Sequence, residues 1–464
     1  MSEEKTAVYR RFREWLARLW DTLPFRRIAG SPRVQLIRGF AARCNAAPFV
    51  PQILFMLLYR LSLDLVYVKL LSPLFAYSGF VLNPSLPMLA LSYLLVLLFA
   101  PFAAELQNRA LPSAKLAALL HYLYFLPMTS YCALSSPNSL LLPIAAAYWA
   151  LLMLWIYKLP VLTLKPLSMK HTRLVFALLT LLSSAVVLYI SGRYTGFRLT
   201  LDIINVYDIR AEAEGYAMPR VLSYLLSWQT ILLTVELLYW LREKKYVVAA
   251  WLVVIYFFYF SIAALKSVFF FLLLVLAAWL LYRAWMPRWC APLLVLFNLL
   301  ALVEYALHKS FYLMSLFIRR MMYVPVYLAA RYQSYFSENP LLFFRDGILR
   351  RLGRQTPYSF RVANLIGEYN GDPTCFANNG LLADLFTNLP TPLGLLVMPL
   401  LLALCFRLLD ACAARKPEKL YIVYALFFAI TFANTSWSTV LLTHGFLPAC
   451  MMLYFFPSKE DNTL

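Results

Sequence analysis

The stretch from Arg242 to Arg288, REKKYVVAAWLVVIYFFYFSIAALKSVFFFLLLVLAAWLLYRAWMPR, decides how the rest of the chain is read. Two apolar runs, Val247–Ala263 and Val268–Tyr282, flank a short link whose one charge is Lys266. Each run approaches the roughly 20 residues that carry a helix across a bilayer, and aromatic or snorkelling ends shorten that requirement. Both outer flanks are basic, with Arg242, Lys244 and Lys245 before the pair and Arg283 and Arg288 after it. Short loops rich in Lys and Arg stay on the cytoplasmic side, so the stretch reads as a membrane hairpin with its tip outside.

Outward from this hairpin the pattern repeats. Of 464 residues, 62% are hydrophobic and 14% charged, whereas a soluble chain carries about 25% charged residues. The chain is therefore expected to be an all-α polytopic membrane protein with about twelve transmembrane helices. Ahead of the hairpin the expected spans are 48–63, 86–103, 116–134, 140–157, 174–190 and 221–241; after it they are 291–307, 393–409, 420–433 and 440–456. With the N-terminus inside, the internal loops carry Arg109 and Lys115, then Lys158, Lys165, Lys170 and Arg173, and later Arg415, Lys416 and Lys419. The short external links carry only Lys69 and Lys266. That asymmetry places both termini in the cytoplasm.

The expected segments are a basic cytoplasmic stretch 1–47, a membrane domain 48–456 and a cytoplasmic tail 457–464. In the first, Arg11, Trp15 and Arg18 with Phe12, Leu16 and Leu19 fit an amphipathic helix on an anionic leaflet, a loose basic tail being the equal alternative. No small-residue cleavage site is evident, so no removed leader is expected. The net charge of +20 sits in short runs between apolar segments, which is a topology and lipid-surface signal and not a groove for nucleic acid. The seven cysteines show no CxxC or metal-ligand spacing, and no structural disulfide is expected.

Two external loops are too long for turns, 191–220 and 308–390. The larger carries Arg319, Arg320, Arg331, Arg345, Arg350, Arg351, Arg354 and Arg361 but a single lysine, Lys309. Arginine is a planar, permanently charged fork suited to phosphate and carboxylate, so the cluster points to an anionic ligand. Aromatic and leucine spacing over Tyr312–Phe336 predicts an interfacial helix, with Pro325 as its kink or its start. On a continuous helix Arg320, Tyr327 and Arg331 would share one face, and Arg350 and Arg354 would form a second pair. The alternative is that these arginines bind lipid headgroups or Glu338, Asp346 and Asp384.

Further along, Asn378-Asn379-Gly380 suits a turn or helix cap, and Asp384 and Asn388 lie one turn apart on the helix expected next. Carboxamides and a carboxylate there can grip sugar hydroxyls; the plainer reading is a capped re-entry helix. Metal chemistry is not expected. Asp64 stands alone, Glu212 and Glu214 form the one close external acid pair, and the four histidines have no ligand spacing. No GxSxG motif and no phosphate-cradling glycine loop is present. Glu236 and Glu304, inside expected spans, mark either a polar pathway or pairing with polar neighbours.

These residues carry a resemblance. The run Ile318-Arg319-Arg320…Val324-Pro325…Tyr332…Tyr335-Phe336…Asn339-Pro340, followed by Asn379-Gly380…Ala383-Asp384…Asn388, is similar to the bacterial O-antigen and capsule repeat-unit polymerases, the Wzy family. Val206-Tyr207-Asp208-Ile209-Arg210 resembles that family's Tyr-x-x-Arg stretch, and Lys266-Ser267 and Leu441-Leu442-Thr443-His444-Gly445 fit as well. Leu389-Pro390-Thr391-Pro392 departs from it where a glycine-bearing turn is expected.

The resemblance implies a GT-C-like core in a bacterial inner membrane and a glycosyltransferase without metal or other cofactor. Its substrates would be undecaprenyl-pyrophosphate-linked repeat units, as donor and as acceptor, with membrane lipid, a chain-length regulator and a flippase as further partners. Arg210, Arg320, Arg354 and Asp384 are the expected catalytic residues. Arg193, Arg319, Tyr327, Arg331, Arg350, Arg361, Asn379, Asn388, Lys266 and His444 are the expected substrate-binding ones. Other candidates for a base are Glu368, His308 and His444. The nearest competing function is a ligase that transfers finished polymer to a lipid core. A flippase or transporter would show matched halves and helices broken near the midplane, and neither is evident in the sequence.

Overall fold

The computed structural model describes residues 50–135, 138–165, 169–200, 206–346, 353 and 355–457, with the side chains of 169–170, 206–207 and 266–267 left out. The amphipathic helix expected near Arg11–Leu19, Arg350, Arg354 and most of the tail lie outside the described residues. The chain divides into two units, Met1–Leu54 and Phe55–Leu464, and apart from the first five residues of the first helix everything discussed below belongs to the second.

Apart from single end residues and an interruption at 443–445 in the last one, every expected span is helical where it is described. The helices are α1 Val50–Val66, α2 Ser72–Phe75, α3 Leu86–Asn108, α4 Pro112–Leu120, α5 Leu126–Ser135, α6 Leu141–Lys158, α7 Met169–Ile190, α8 Val206–Glu214, α9 Arg220–Arg242 and α10 Tyr246–Ala263. They continue as α11 Lys266–Leu281, α12 Cys290–His308, α13 Val324–Glu338, α14 Val362–Tyr369, α15 Leu382–Asn388, α16 Thr391–Cys412, α17 Glu418–Asn434, α18 Trp437–Leu442 and α19 Phe446–Phe455. Among the described residues, eight helices are long and apolar enough to cross a membrane. The protein is therefore a multi-pass helical membrane protein. The second run of the opening hairpin, Val268–Leu281, is apolar but shorter. Helices α1 and α17 have 17 residues each, and α4 and α5 are joined through a π-helical turn, His121–Phe125.

Leu- and Ala-rich segments make these helices, and proline starts several of them, where its missing N–H costs nothing. Proline stands at the first turn of α3, α4, α13 and α16. Pro390 and Pro392 thus make the turn after Asn388 that glycine was expected to make, since Pro390 caps α16 and Pro392 lies in its first turn. Packing joins α16 to α6 and α17 to α4, while α9 packs on α7, α10 and α19.

Of the charges inside the spans, Glu236 is fully buried and accepts from Ser183 at 2.8 Å while its other oxygen has no partner among the described residues. Arg60, Asp64 and Glu304 are paired or capped. Arg60, fully buried, forms an ion pair with Asp64 and donates to Thr129 Oγ1 and Ser92 Oγ, both at 3.0 Å. Asp64 also accepts from Ser130 (2.6 Å) and Tyr93 (2.8 Å), so this lone carboxylate of the sequence is saturated. Glu304 accepts the Tyr312 and Leu313 N–H groups at 2.9 and 3.0 Å, capping the segment after α12. Its role is pairing, not a pathway.

The last span, Trp437–Phe455, is long and apolar enough to cross a membrane but is interrupted at Thr443-His444-Gly445, where Gly445 adopts φ 77° between α18 and α19. Only a residue without Cβ takes that conformation cheaply. Trp228 Nε1 of α9 donates to Leu442 O at 2.6 Å and holds the end of α18.

Candidate functional site

The break opens into a cavity of about 1220 Å³. Three segments build it. From α9 come Arg220, Ser223, Tyr224 and Ser227, a polar stripe on the first two turns of the helix. The segment between α12 and α16 supplies Asp346, Arg361, Asn379, Asp384, Thr387 and Asn388. The third wall is the polar run Thr435–Thr439 together with Thr443 and His444.

Asp384 is the buried carboxyl of this cavity. It sits on α15, every residue of which is buried. Its Oδ2 accepts the Trp437 N–H at 2.9 Å. Burial pushes its carboxyl up to about 7, against the opposing pull of the Trp437 N–H and the Ser436 hydroxyl. A carboxyl that titrates near neutrality exchanges protons with a bound hydroxyl far more readily than an ordinary aspartate.

The carboxamides hold the frame. Asn388 Nδ2 donates to Asp384 O (2.9 Å) while its Oδ1 accepts from Phe344 N (2.9 Å). Asn379 Nδ2 donates to Pro325 O at 2.8 Å, and its Oδ1 is buried with no partner. Gly380 lets the loop approach the end of α17, because a Cβ there would overlap the carbonyl oxygens of Phe432 and Thr435. Gly380→Ala is expected to cost about 1–3 kcal/mol through forced displacement, read as a lower unfolding temperature in detergent; an unchanged temperature would mean the approach is not tight.

The expected arginines divide. Arg361 caps α14 and lines the cavity. Arg320 is exposed and Arg210 half-buried on α8, and neither lines it. Arg319 lies 4.6 Å over the Phe75 ring, and Arg193 5.8 Å over Tyr194. Arg331 donates to Asn370 Oδ1 (2.5 Å) and sits 4.4 Å over Tyr369, so it ties α13 to the end of α14. Tyr327 packs 5.2 Å from the Phe80 ring. Tyr327 and Arg331 lie one turn apart on α13, as expected, and are close enough to interact. Arg320 lies in the π-helical Met314–Tyr323 segment, whose wider turns shift its register relative to that pair. Lys266 starts α11. His444 lies on the cavity wall as expected. Of the acid pair, Glu212 is occupied, accepting from Arg198 (2.6 Å) and Tyr216 (2.7 Å).

Sequence reasoning missed Arg220 and its stripe. The signal was available: Arg220, Ser223, Tyr224 and Ser227 recur at helical spacing straight after Pro219. Neither Arg220 nor Arg361 has an acid partner among the described residues. No cluster of three His, Cys, Asp or Glu side chains able to hold a metal occurs among the described residues. No family model, curated protein or solved structure matches the chain.

Proposed function

We propose that this protein polymerises glycan repeat units carried on polyprenyl diphosphate, at the outer face of a bacterial inner membrane, through a twelve-span fold with both termini in the cytoplasm. The observation that carries the reading is one cavity holding a buried near-neutral carboxyl, two arginines without acid partners and a wall of hydroxyls. In this mechanism Asp384 accepts the proton of an acceptor sugar hydroxyl. The freed oxygen attacks the anomeric carbon of the donor, and the bond from that carbon to the diphosphate breaks. Arg220 and Arg361 stabilise the charge that collects on the leaving diphosphate, a preorganised electrostatic role. Ser223, Ser227 and Thr387 hold sugar hydroxyls. Holding both lipid-linked substrates in one cavity supplies proximity.

Deletion of the gene followed by gel analysis of surface glycan tests the activity. A single repeat unit on the carrier or core is the expected product. Unligated long polymer would make the protein a ligase. Loss of all external glycan with repeat units trapped inside would favour a transporter, a reading to which the broken helix at Gly445 lends some support.

Topology has its own test. Ser337 is exposed on α13 and Gln355 is exposed in the loop. In a background with the exposed Cys375 replaced by Ser, Ser337→Cys and Gln355→Cys are expected to react with an impermeant thiol reagent in intact spheroplasts. Labelling only after the membrane is broken would place the cavity on the cytoplasmic side and remove the mechanism.

A further inference from the structure

A second cavity, an apolar slot of about 330 Å³, lies between α4, α11, the start of α12 and α17. Leu274, Ala277, Ala278 and Leu281 of α11 form one wall, Leu293 of α12 another, and Ile422 and Leu426 of α17 a third. Polar groups at its base are already paired. Lys115 Nζ meets Glu418 Oε1 at 2.8 Å, Tyr282 donates to Glu418 Oε1 at 2.7 Å, and Tyr122 donates to Gln107 Oε1 at 2.8 Å. Water needs two to four polar partners to stay in such a space, and an apolar cavity of about 150 Å³ already takes up benzene. The slot is thus dry and large enough for a hydrocarbon chain.

Its surroundings say what kind. The span Met286–His308 has 17% of its length buried, against 33–50% for the other spans, so the slot stands beside the most lipid-facing helix. The corner joining α11 to α12 lines the slot through Leu281, Tyr282, Met286 and Pro287. It also carries Arg283 and Arg288, which have no acid partner among the described residues: Arg283 donates to Tyr282 O and Arg288 to Asn108 Oδ1. Lys419 adds a third cation beside Arg283, its Nζ 3.5 Å over the Trp279 ring.

We propose that this slot binds one acyl chain of an anionic phospholipid, with Arg283 and Arg288 holding its phosphate. The site is separate from the chemistry above. It meets α17 at Ile422 and Leu426, whereas the large cavity lies past the far end of that helix at Thr435, roughly 14–20 Å away along the helix. Its occupant belongs to the opposite leaflet, where short basic loops gather anionic lipid.

Native mass spectrometry of the purified protein, titrated with phosphatidylglycerol or phosphatidylcholine, tests this. Wild type is expected to retain one phosphatidylglycerol at least tenfold more strongly than phosphatidylcholine. Arg283→Gln and Arg288→Gln should each weaken phosphatidylglycerol by about fivefold and leave phosphatidylcholine unchanged. Ala278→Trp, which fills the slot, should reduce retention of both lipids; Ala277→Leu is the milder variant if the first does not fold. Equal retention of the two lipids by wild type overturns the proposal. So does loss on arginine removal with none on slot filling, which means headgroup adhesion alone. Loss on slot filling with no effect of the arginines overturns the anionic assignment.

Discussion

Asp384→Asn is expected to lower elongation of lipid-linked repeat units by about 10²- to 10⁴-fold, the usual contribution of a positioned base. The amide keeps the size of the side chain and an oxygen for the Trp437 N–H, so the frame around α15 should survive. The pH dependence separates a base from a structural carboxyl. With the carboxyl pushed up to about 7 by burial, the wild-type rate should climb as pH rises through 7 and level off above it. The residual rate of the variant should lack that step. Stability should move the other way. The folded state binds the proton more tightly than the unfolded chain, whose aspartates titrate near 3.9. Stability present at low pH is therefore lost as pH rises from about 4 to 7. Asp384→Asn removes that loss, so its unfolding temperature should fall less than that of wild type between pH 5 and pH 8. A variant with normal chain elongation, or a wild-type rate flat across pH 6–8, would exclude Asp384 as the base.

Arg220→Lys and Arg361→Lys are expected to slow elongation by roughly 30- to 1000-fold, equivalent to about 2–4 kcal/mol for one charge-assisted contact in a desolvated site. Lysine keeps the charge and loses the bidentate fork, which is the feature a diphosphate uses. Arg320→Lys and Arg331→Lys should stay within about threefold of the wild-type rate. Arg331→Ala should lower the unfolding temperature instead, since its guanidinium ties Asn370 and Tyr369 to α13. The measurement is glycan chain length and amount at matched expression. If the Arg320 change is the more damaging, the leaving group sits nearer the π-helical segment than the cavity implies. If all four variants make normal polymer, no arginine clamp operates.

The value of these contrasts lies in where the chain's own pattern is informative. The polar stripe on α9 was readable at helical spacing, yet a stripe on one helix does not name what it faces. Asp384 and Asn388 were readable as a pair one turn apart, and they occupy that relation in α15. Their meeting with Ser436 and Trp437 joins positions some fifty residues apart, a distance over which periodicity carries no signal. Arg320 and Arg331 show the converse: their alignment needed an unbroken 3.6-residue period, and the π-helical turns of Met314–Tyr323 interrupt it.

Hydropathy and the placement of basic residues determined, by themselves, that the chain is a helical membrane protein with a long polar loop before its last spans. They do so because a bilayer demands apolar length and internal hydrogen bonding from any segment that crosses it. Which arginines share a cavity with Asp384, and that the last span breaks at Gly445, was decided only by tertiary structure. There the Trp228–Leu442 contact and the close approach at Gly380 bring α9, the loop and α18 together, and such contacts depend on packing between distant segments that no local pattern records.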